Sequence, residues 1–335
     1  MRAFTLPKII AEVAQGYEGR PDYCRLFVRI AAKAKANAVK FQIVYADDTA
    51  EPGYVHYEFF KQLQMDVAIW QELRALTKSL GMQFVCDVSG QRAIKVARAI
   101  RPDGIKLHSS NFFNRALLRE AFECADRVFV SLGGAHLAEI EALVAEVTAW
   151  GCVNRLVLLC GFQAEPTPVE KSNLARIPML LRKFPMLEIG YMDHVAGGTP
   201  DHTHVSIMAM VLGTHWIEKH LTITRFGEIE DYISALDPEE FASYVAALAR
   251  LADASGEADL ELGKEELAYR DKSVKKLITA RALDAGHVLT AADIEFKRTP
   301  RIAPYSGIHD PRFALGRKVA RPLAAGEPIL EPDLR

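Results

Sequence analysis

The sequence predicts an α/β protein whose first three quarters form a (β/α)₈ TIM barrel and whose remainder forms a small β-rich domain. Eight short runs rich in Val, Ile, Leu and Phe alternate with helix-like segments over about 250 residues, the size expected of such a barrel. Nearly every run ends in polar side chains, as the strands of barrel enzymes do. A doubly wound sheet is the alternative, but no glycine-rich nucleotide-binding fingerprint follows any of the runs.

The predicted strands are short apolar runs such as "KIIAEVA" and "RLVLLCG", which are typical of parallel strands buried on both faces. In chain order they cover residues 8–14, 38–44, 83–89, 104–109, 127–133, 155–161, 188–194 and 216–222. Helical spacing of apolar residues predicts helices over 22–36, 66–80, 91–100, 114–124, 137–150, 171–184, 202–212 and 238–251. The last helix follows Asp237, a suitable N-cap, and has Pro238 in its first turn.

The character of the chain changes after residue 253, so the barrel is predicted over residues 1–253. A polar linker, which begins "ASGEADLELGKEEL", is predicted over 254–271. Residues 272–335 contain two similar segments, "ARALDAGHVLTAADI" and "ARPLAAGEPILEPDL", at an offset of forty residues. Each has a Gly turn between β-rich runs, which predicts a small domain of roughly sixty residues, near the lower size limit for independent folding.

Charge and composition exclude several classes of function. The net charge of −2 predicts no binding to nucleic acid or to an anionic membrane. The apolar runs are too short to span a bilayer, and the N-terminal "MRAFTLPKIIAEVAQ" is a poor signal peptide. The five cysteines are scattered without a C-x-x-C pair, which predicts reduced thiols and a cytoplasmic protein.

Lysines and serines at the ends of predicted strands two, four and five suggest an anion site. Lys40 and Lys106 supply charge and Ser109 and Ser131 supply hydroxyl donors, a combination that suits phosphate and carboxylate groups. Glu12, on strand one, is expected on the opposite side of the mouth. The alternative is that these polar groups are solvated starts of loops.

Two histidines, His194 and His220, come from the neighbouring predicted strands seven and eight. In "THWIEKHLT", strand alternation places Glu218 and His220 on one face and Lys219 on the other, where we expect it to meet an acid among the outer helices. Neutral imidazoles with the acids Asp193 and Glu218 beside them suit a divalent metal such as Mn²⁺, and a metal-free hydrogen-bond network is the alternative. The combined groups suit metal-assisted carbon–carbon bond chemistry on a phosphorylated small molecule.

At these residues the sequence resembles the sialic acid synthase family, which condenses phosphoenolpyruvate with an N-acylated amino sugar. The resemblance runs nearly end to end through "IIAEVAQGYEG", "ANAVKFQ", "GIKLHSS", "VFVSLGGAHLAEIE", "GYMDH", "GTHWIEKHLT" and "VLTAADIEFKR". It implies a (β/α)₈ barrel with an antifreeze-like (SAF) cap. It also implies a domain-swapped homodimer in which the cap of one chain covers the barrel mouth of the other. The implied product is a sialic-acid-type nonulosonic acid for a surface polysaccharide such as a spore coat.

The resemblance also implies roles for individual residues. Glu12 and Glu218 match active-site acids, and His194 and His220 match the ligands of a divalent metal, for which we expect Mn²⁺, with Mg²⁺ and Co²⁺ as alternatives. The substrate-binding residues that it implies are Lys40, Gln42, Lys106, Ser109, Ser131, Asp231 and Arg298.

Four residues depart from the family pattern. Asp87 and Met192 stand where the family has small phosphate ligands, Glu165 stands where a sugar-contacting Tyr is common, and Asn111 replaces a Glu. These departures favour two alternative functions. One is a related barrel enzyme with a different donor or sugar, and the other is a sugar-binding paralogue without turnover.

Overall fold

The computed structural model describes residues 5–256, 259–303 and 305–335. The chain divides into two compact units, Met1–Ala258 and Asp259–Arg335. The first is a closed barrel of eight parallel strands that follow one another in chain order, which confirms the predicted fold class. Within the described ranges, no helix has the length and apolar character needed to cross a membrane.

The barrel strands match the predicted runs to within a few residues. Their bounds are Lys8–Ala14 (β1), Ala38–Ile43 (β2), Gln83–Val88 (β3), Gly104–Leu107 (β4), Arg127–Ser131 (β5), Leu156–Cys160 (β6), Glu188–Asp193 (β7) and Trp216–His220 (β8). β1 pairs with both β2 and β8, which closes the ring. β4 is shorter than predicted because Ser109 belongs to a 3₁₀ turn, Ser109–Asn111, rather than to the strand.

The helices form the outer layer of this unit. Their bounds are Pro21–Lys33 (α1), Ala46–Thr49 (α2), Tyr57–Gln62 (α3), Val67–Ser79 (α4), Gln91–Ile100 (α5), Arg115–Cys124 (α6), Leu137–Ala149 (α7), Arg176–Lys183 (α8), Asp201–Val211 (α9) and Pro238–Asp253 (α10). α8 begins five residues later than predicted, because a start at Lys171 would put Pro178 in the helix interior. The short helices α2 and α3 were not predicted, since one or two turns give too little periodicity.

Side chains alternate between the interior of the barrel and the layer of helices around it. Eight buried apolar residues form an inner cluster, which we call the barrel floor: Ile10, Ala38, Val85, Phe129, Val157, Leu159, Met192 and Trp216. Gly190 makes room in it, since an added Cβ would lie 2.4 Å from the Leu159 side chain and 3.0 Å from Trp216. The strand register places the polar inward residues one or more steps beyond this floor, toward the carboxyl ends of the strands.

The second unit contains one α-helix, Lys264–Ser273 (α11), and two antiparallel strands, Lys276–Thr279 (β9) and Ile294–Lys297 (β10), among its described residues. α11 begins inside the predicted linker and ends two residues beyond it. It escaped prediction because none of its residues is buried, so it has no apolar stripe to give a helical period.

The forty-residue repeat in the second unit is structural as well as sequential. Leu283 and Leu323, which occupy equivalent places in the two segments, exchange both backbone hydrogen bonds at 2.9 Å. Asp293 accepts a hydrogen bond from the Arg281 side chain, and Asp333 accepts one from Arg321. The two segments therefore fold alike and pair with each other around a shared core, whose buried members include Leu277, Leu289, Val319 and Ile329.

Outside the barrel, the buried Lys219 connects the last two strands to the helix layer. Its Nζ lies 3.2 Å from Asp193 Oδ1 and donates to the Val195 carbonyl at 2.6 Å. Asp193 Oδ2 accepts from the Ser206 hydroxyl of α9 at 2.6 Å, and Ser206 Oγ accepts from Tyr244 of α10 at 2.8 Å. The expected acid partner of Lys219 is thus Asp193. The prediction that Asp193 accompanies the histidines was wrong, because strand alternation turns it outward.

We expect Lys219→Met to lower the free energy of unfolding by about 3–5 kcal/mol, because it leaves Asp193 buried and charged without its cation. Urea unfolding at pH 7 measures the loss. Lys183→Met is the matched control. It removes a partly exposed ion pair with Glu141 and should cost about 1 kcal/mol or less. Equal losses in the two variants would contradict this account.

Candidate active site

The inward side chains beyond the barrel floor form a buried network of charges. Lys40 Nζ, on β2, contacts Glu12 of β1 and Glu218 of β8. Lys106 Nζ, on β4, lies 2.7 Å from Glu218 Oε1 and 3.9 Å from Asp87 Oδ2 of β3. All five residues are at most 3% exposed. The expectation that Glu12 stands on the opposite side from the lysines was wrong, because β1 and β2 are neighbours and Glu12 pairs in register with Lys40.

A bulge in β1 completes the surroundings of Glu12. The strand register shifts between Glu12 and Ala14, and Ala14 adopts a left-handed φ of 48°. This turn directs the Ala14 amide to Glu12 Oε1, to which it donates at 2.6 Å. One oxygen of Glu12 therefore faces the backbone and the other faces Lys40.

Burial and the neighbouring charges shift the pKa values of the network's members in different directions. Burial raises the pKa of Glu12 to about 7, although the neighbouring Lys40 opposes the shift. Burial alone would also raise the pKa of Glu218, but Lys106 and Lys40 outweigh it and hold that pKa well below its usual range. For Lys106, the surrounding carboxylates overcome the effect of burial and raise its pKa, whereas burial lowers the pKa of Lys40. Glu12 is thus the member that can change protonation near neutral pH.

His194 and His220 lie side by side at the ends of β7 and β8. Their ring centroids are 4.9 Å apart with an interplanar angle of 59°. Burial lowers the pKa of each imidazole to about 3, so both are neutral at pH 7. His194 Nδ1 is buried without a hydrogen-bond partner.

A divalent cation fits this pair, since neutral imidazole is its usual nitrogen ligand and one ring nitrogen lacks a partner. His194 and His220 would supply two ligands. Among the described residues, no group of three or more His, Cys, Asp or Glu side chains is arranged to hold a metal ion. Further coordination positions would therefore belong to water or substrate. Glu218, predicted to accompany the histidines, instead binds the two lysines, because its carboxylate reaches across the barrel.

A second group of carboxyls lies next to His220. Asp231 Oδ2 is 3.9 Å from His220 Nδ1. Burial, followed by a hydrogen bond to the neighbouring Glu165 carboxyl, raises the pKa of Asp231 well above its usual value. The two residues come from loops after different strands, so only the closed barrel brings them together.

The predicted anion-binding serines lie on another side of the mouth. Ser131 donates to Gln163 Oε1 at 3.0 Å, and Gln163 Nε2 lies 3.2 Å from His108 Nε2. Gly133 permits this approach, because a Cβ there would lie 2.4 Å from Gln163 Oε1 and 3.6 Å from the Cβ of Ser109. Gln163 and His108 were missed as site residues. "GIKLHSS" contained His108, but nothing in the sequence pattern marked Gln163.

A cavity of about 960 Å³ opens at this mouth. Its lining includes the predicted residues Gln42 and Asp231, together with Asp87. Gln42 accepts a hydrogen bond from the side chain of Gln15 at 2.7 Å. Arg298 belongs to the second unit, where its Nε donates to the Ser273 carbonyl at 3.3 Å and where it lines a separate cavity of about 340 Å³.

Comparisons with known proteins find relatives of this chain. The NeuB family model matches residues 27–259, and the SAF domain model matches residues 275–335. An N-acetylneuraminate-9-phosphate synthase of Drosophila melanogaster is 25% identical and spans 96% of this chain and 94% of that protein. An N,N'-diacetyllegionaminic acid synthase of Campylobacter jejuni is 23% identical and spans 91% of this chain and 92% of that protein.

The fold is also that of a solved structure. A spore coat polysaccharide biosynthesis protein E of Chromobacterium violaceum superposes with a TM-score of 0.79 at 22% identity. The superposition covers 98% of this chain and 99% of that structure.

We expect the contribution of His194 and His220 to the free energy of unfolding to fall as the pH drops from 6.5 toward 3, because the unfolded chain then binds protons that these buried imidazoles do not bind. Each imidazole contributes roughly 1.4 kcal/mol per pH unit in this window. Urea unfolding at pH 7 and pH 5, in the presence of EDTA, should show a smaller loss in His194→Gln/His220→Gln than in the unchanged protein. Each single variant should recover about half of the difference. Identical pH dependence in all four proteins would refute this prediction.

Proposed function

The chain belongs to the NeuB family, and we propose that it is a nonulosonic acid synthase that condenses phosphoenolpyruvate with an N-acylated amino sugar. The observation that carries the proposal is the meeting of two buried lysines, a carboxyl with a pKa of about 7 and a pair of neutral imidazoles at one barrel mouth. The proposed product serves a surface polysaccharide and the proposed site of synthesis is the cytoplasm.

The lysines are proposed to hold the phosphate and carboxylate of the donor. Lys40 and Lys106 already contact Glu12 and Glu218, so an anionic donor must take over part of the pairing that these carboxylates provide. Ser131, fixed by Gln163, supports this role as a directed hydroxyl at the same mouth, and Ser109 lies close by. Gln42 and Asp231 are proposed to contact the sugar from the cavity.

In the proposed reaction, the electron pair of the enol double bond forms the new bond between C3 of the donor and the aldehyde carbon of the open-chain sugar, and the aldehyde oxygen takes a proton from the protonated Glu12 carboxyl. Water then adds at C2 and its proton passes to Glu12 Oε2. The C–O bond to phosphate breaks with its electron pair, the departing phosphate takes the remaining hydroxyl proton, and C2 becomes a ketone. A pKa of about 7 suits Glu12 for this proton transfer.

His194 and His220 are proposed to hold a divalent cation, with Mn²⁺ as the first choice and Mg²⁺ and Co²⁺ as alternatives. Such a cation supplies charge stabilisation to an oxygen that becomes an alkoxide, an effect worth several kcal/mol. The unpartnered Nδ1 of His194 and the neutral state of both rings support this assignment.

A second candidate function is the related enzyme with a different donor. Two observations favour it. Met192, buried in the barrel floor, offers no hydroxyl for a phosphate oxygen, and Asp87 adds a negative charge close to Lys106. At an effective dielectric of about 20, two like charges 4 Å apart cost about 4 kcal/mol, which an anionic donor near Asp87 has to overcome.

We expect purified, Mn²⁺-loaded protein to release phosphate from phosphoenolpyruvate when an N-acylated hexosamine is present and not without one. His194→Ala and His220→Ala should each lower the rate at least about 100-fold, since each removes one of two cation ligands. His204→Ala, an exposed histidine of α9, is the matched control and should leave the rate unchanged. Full activity in both active-site variants excludes this mechanism. If no sugar in the panel triggers phosphate release, the different-donor candidate is favoured.

The proposed domain-swapped homodimer makes a separate prediction. If Arg298 serves the barrel of the partner, Lys40→Ala and Arg298→Ala chains are each inactive alone. After mixing, unfolding and refolding together, heterodimers combine one intact barrel with one intact cap, so about a quarter of the activity should return when the chains mix at random. No recovery in a mixture shown to contain heterodimers rules out the swap.

A further inference from the structure

The cavity at the barrel mouth has an unusual charge for a site proposed to take phosphorylated compounds. Five acidic residues belong to its lining: Asp48, Glu51, Asp87, Glu230 and Asp231. Across the ranges that the structure describes, no lysine or arginine lines it. The two buried lysines lie behind this lining, where carboxylates already contact both.

Asp87 gives an independent sign that a ligand belongs here. Its side chain lines the cavity and is only 3% exposed, yet its Oδ2 has no hydrogen-bond partner. The Lys106 ammonium is 3.9 Å away, which is too far for a hydrogen bond. A buried acceptor without a donor costs free energy in the unliganded protein. A ligand that donates a hydrogen bond to this oxygen from a hydroxyl or an N–H group removes that cost and gains binding free energy.

The rest of the lining suits a neutral polyhydroxyl compound. Gln15, Gln42 and Asn111 supply amide donors and acceptors. Tyr54 and Phe60 form an aromatic wall whose rings are 6.1 Å apart and nearly parallel, with an interplanar angle of 20°. Amides and carboxylates can bind sugar hydroxyls, while the aromatic wall can face the apolar C–H groups of the same sugar.

We infer that this cavity takes a sugar acceptor without a phosphate group, and that Asp87 accepts a hydrogen bond from one of its hydroxyl or N–H groups. The inference rests on the proposed function, because it names the class of acceptor. It also separates this chain from the relative whose name specifies a 9-phosphate product. A phosphate monoester carries a charge of about −1.5 to −2 at neutral pH and meets carboxylates here with no cation in the lining.

Calorimetric titration of the full-length protein without donor tests the inference. Two matched pairs serve as probes: N-acetylmannosamine and N-acetylglucosamine, each with its 6-phosphate. In at least one pair the unphosphorylated sugar should bind at least about tenfold more tightly than its 6-phosphate, with EDTA and again with Mn²⁺. Equal affinities, tighter binding of the 6-phosphates under either condition, or no binding in either pair would overturn it.

Three variants test the assignment to the cavity. Asp87→Asn keeps the shape but loses the charged acceptor, so it should weaken binding of the unphosphorylated sugar about tenfold. Glu51→Lys should reduce the difference in affinity between the unphosphorylated sugar and its 6-phosphate, because it places a cation in the lining. Glu170→Lys, at an exposed position outside the lining, should change neither affinity. An unchanged affinity in Asp87→Asn would overturn the role of Asp87.

The failure of the inference and that of the proposed function can be told apart. Selective binding of the unphosphorylated sugar without phosphate release from phosphoenolpyruvate contradicts the proposed reaction and leaves the acceptor class standing. Phosphate release driven best by a 6-phosphate sugar supports the reaction and overturns the inference.

Discussion

The ammonium group of Lys40, held between Glu12 and Glu218, is the interaction on which the barrel interior depends. From β2 it contacts side chains of β1 and β8, so it spans the place where the first strand meets the last. A buried ammonium is costly unless carboxylates surround it, and only the closed barrel brings both carboxylates within reach. Closure of the barrel and the balance of the buried charges therefore depend on each other.

The barrel floor explains where these charges can exist. Apolar side chains fill the interior below the network. Among them, the rings of Phe129 and Trp216 pack edge to face with their centroids 5.1 Å apart. Charged side chains are thus confined to the mouth, where loops and a cavity give access to substrate. Three carboxylates face two ammonium groups there, so the protein neutralises its own lysines and an incoming anion must compete for them.

The second unit is a small domain that is stabilised by an internal repeat. Its two similar segments pair with each other through Leu283 and Leu323 and close a shared apolar core. In each segment an aspartate, Asp293 or Asp333, binds an arginine twelve positions earlier. Because the segment is duplicated, the same local contacts form twice, which helps to stabilise a domain that is too short for a large core.

The sequence by itself determined the barrel, its strand order and most element bounds, because buried parallel strands and amphipathic helices leave strong periodic patterns. It also marked Glu12, Lys40, Lys106, His194 and His220 as inward groups at strand ends. It missed α11, which buries no residue and so has no pattern to detect. Only the tertiary structure decided which groups meet: that Glu218 serves the lysines, that Asp193 faces outward to Lys219, and that Glu165 reaches Asp231. These partners lie far apart in the chain, and their contacts follow from barrel closure and side-chain reach, which no local pattern records.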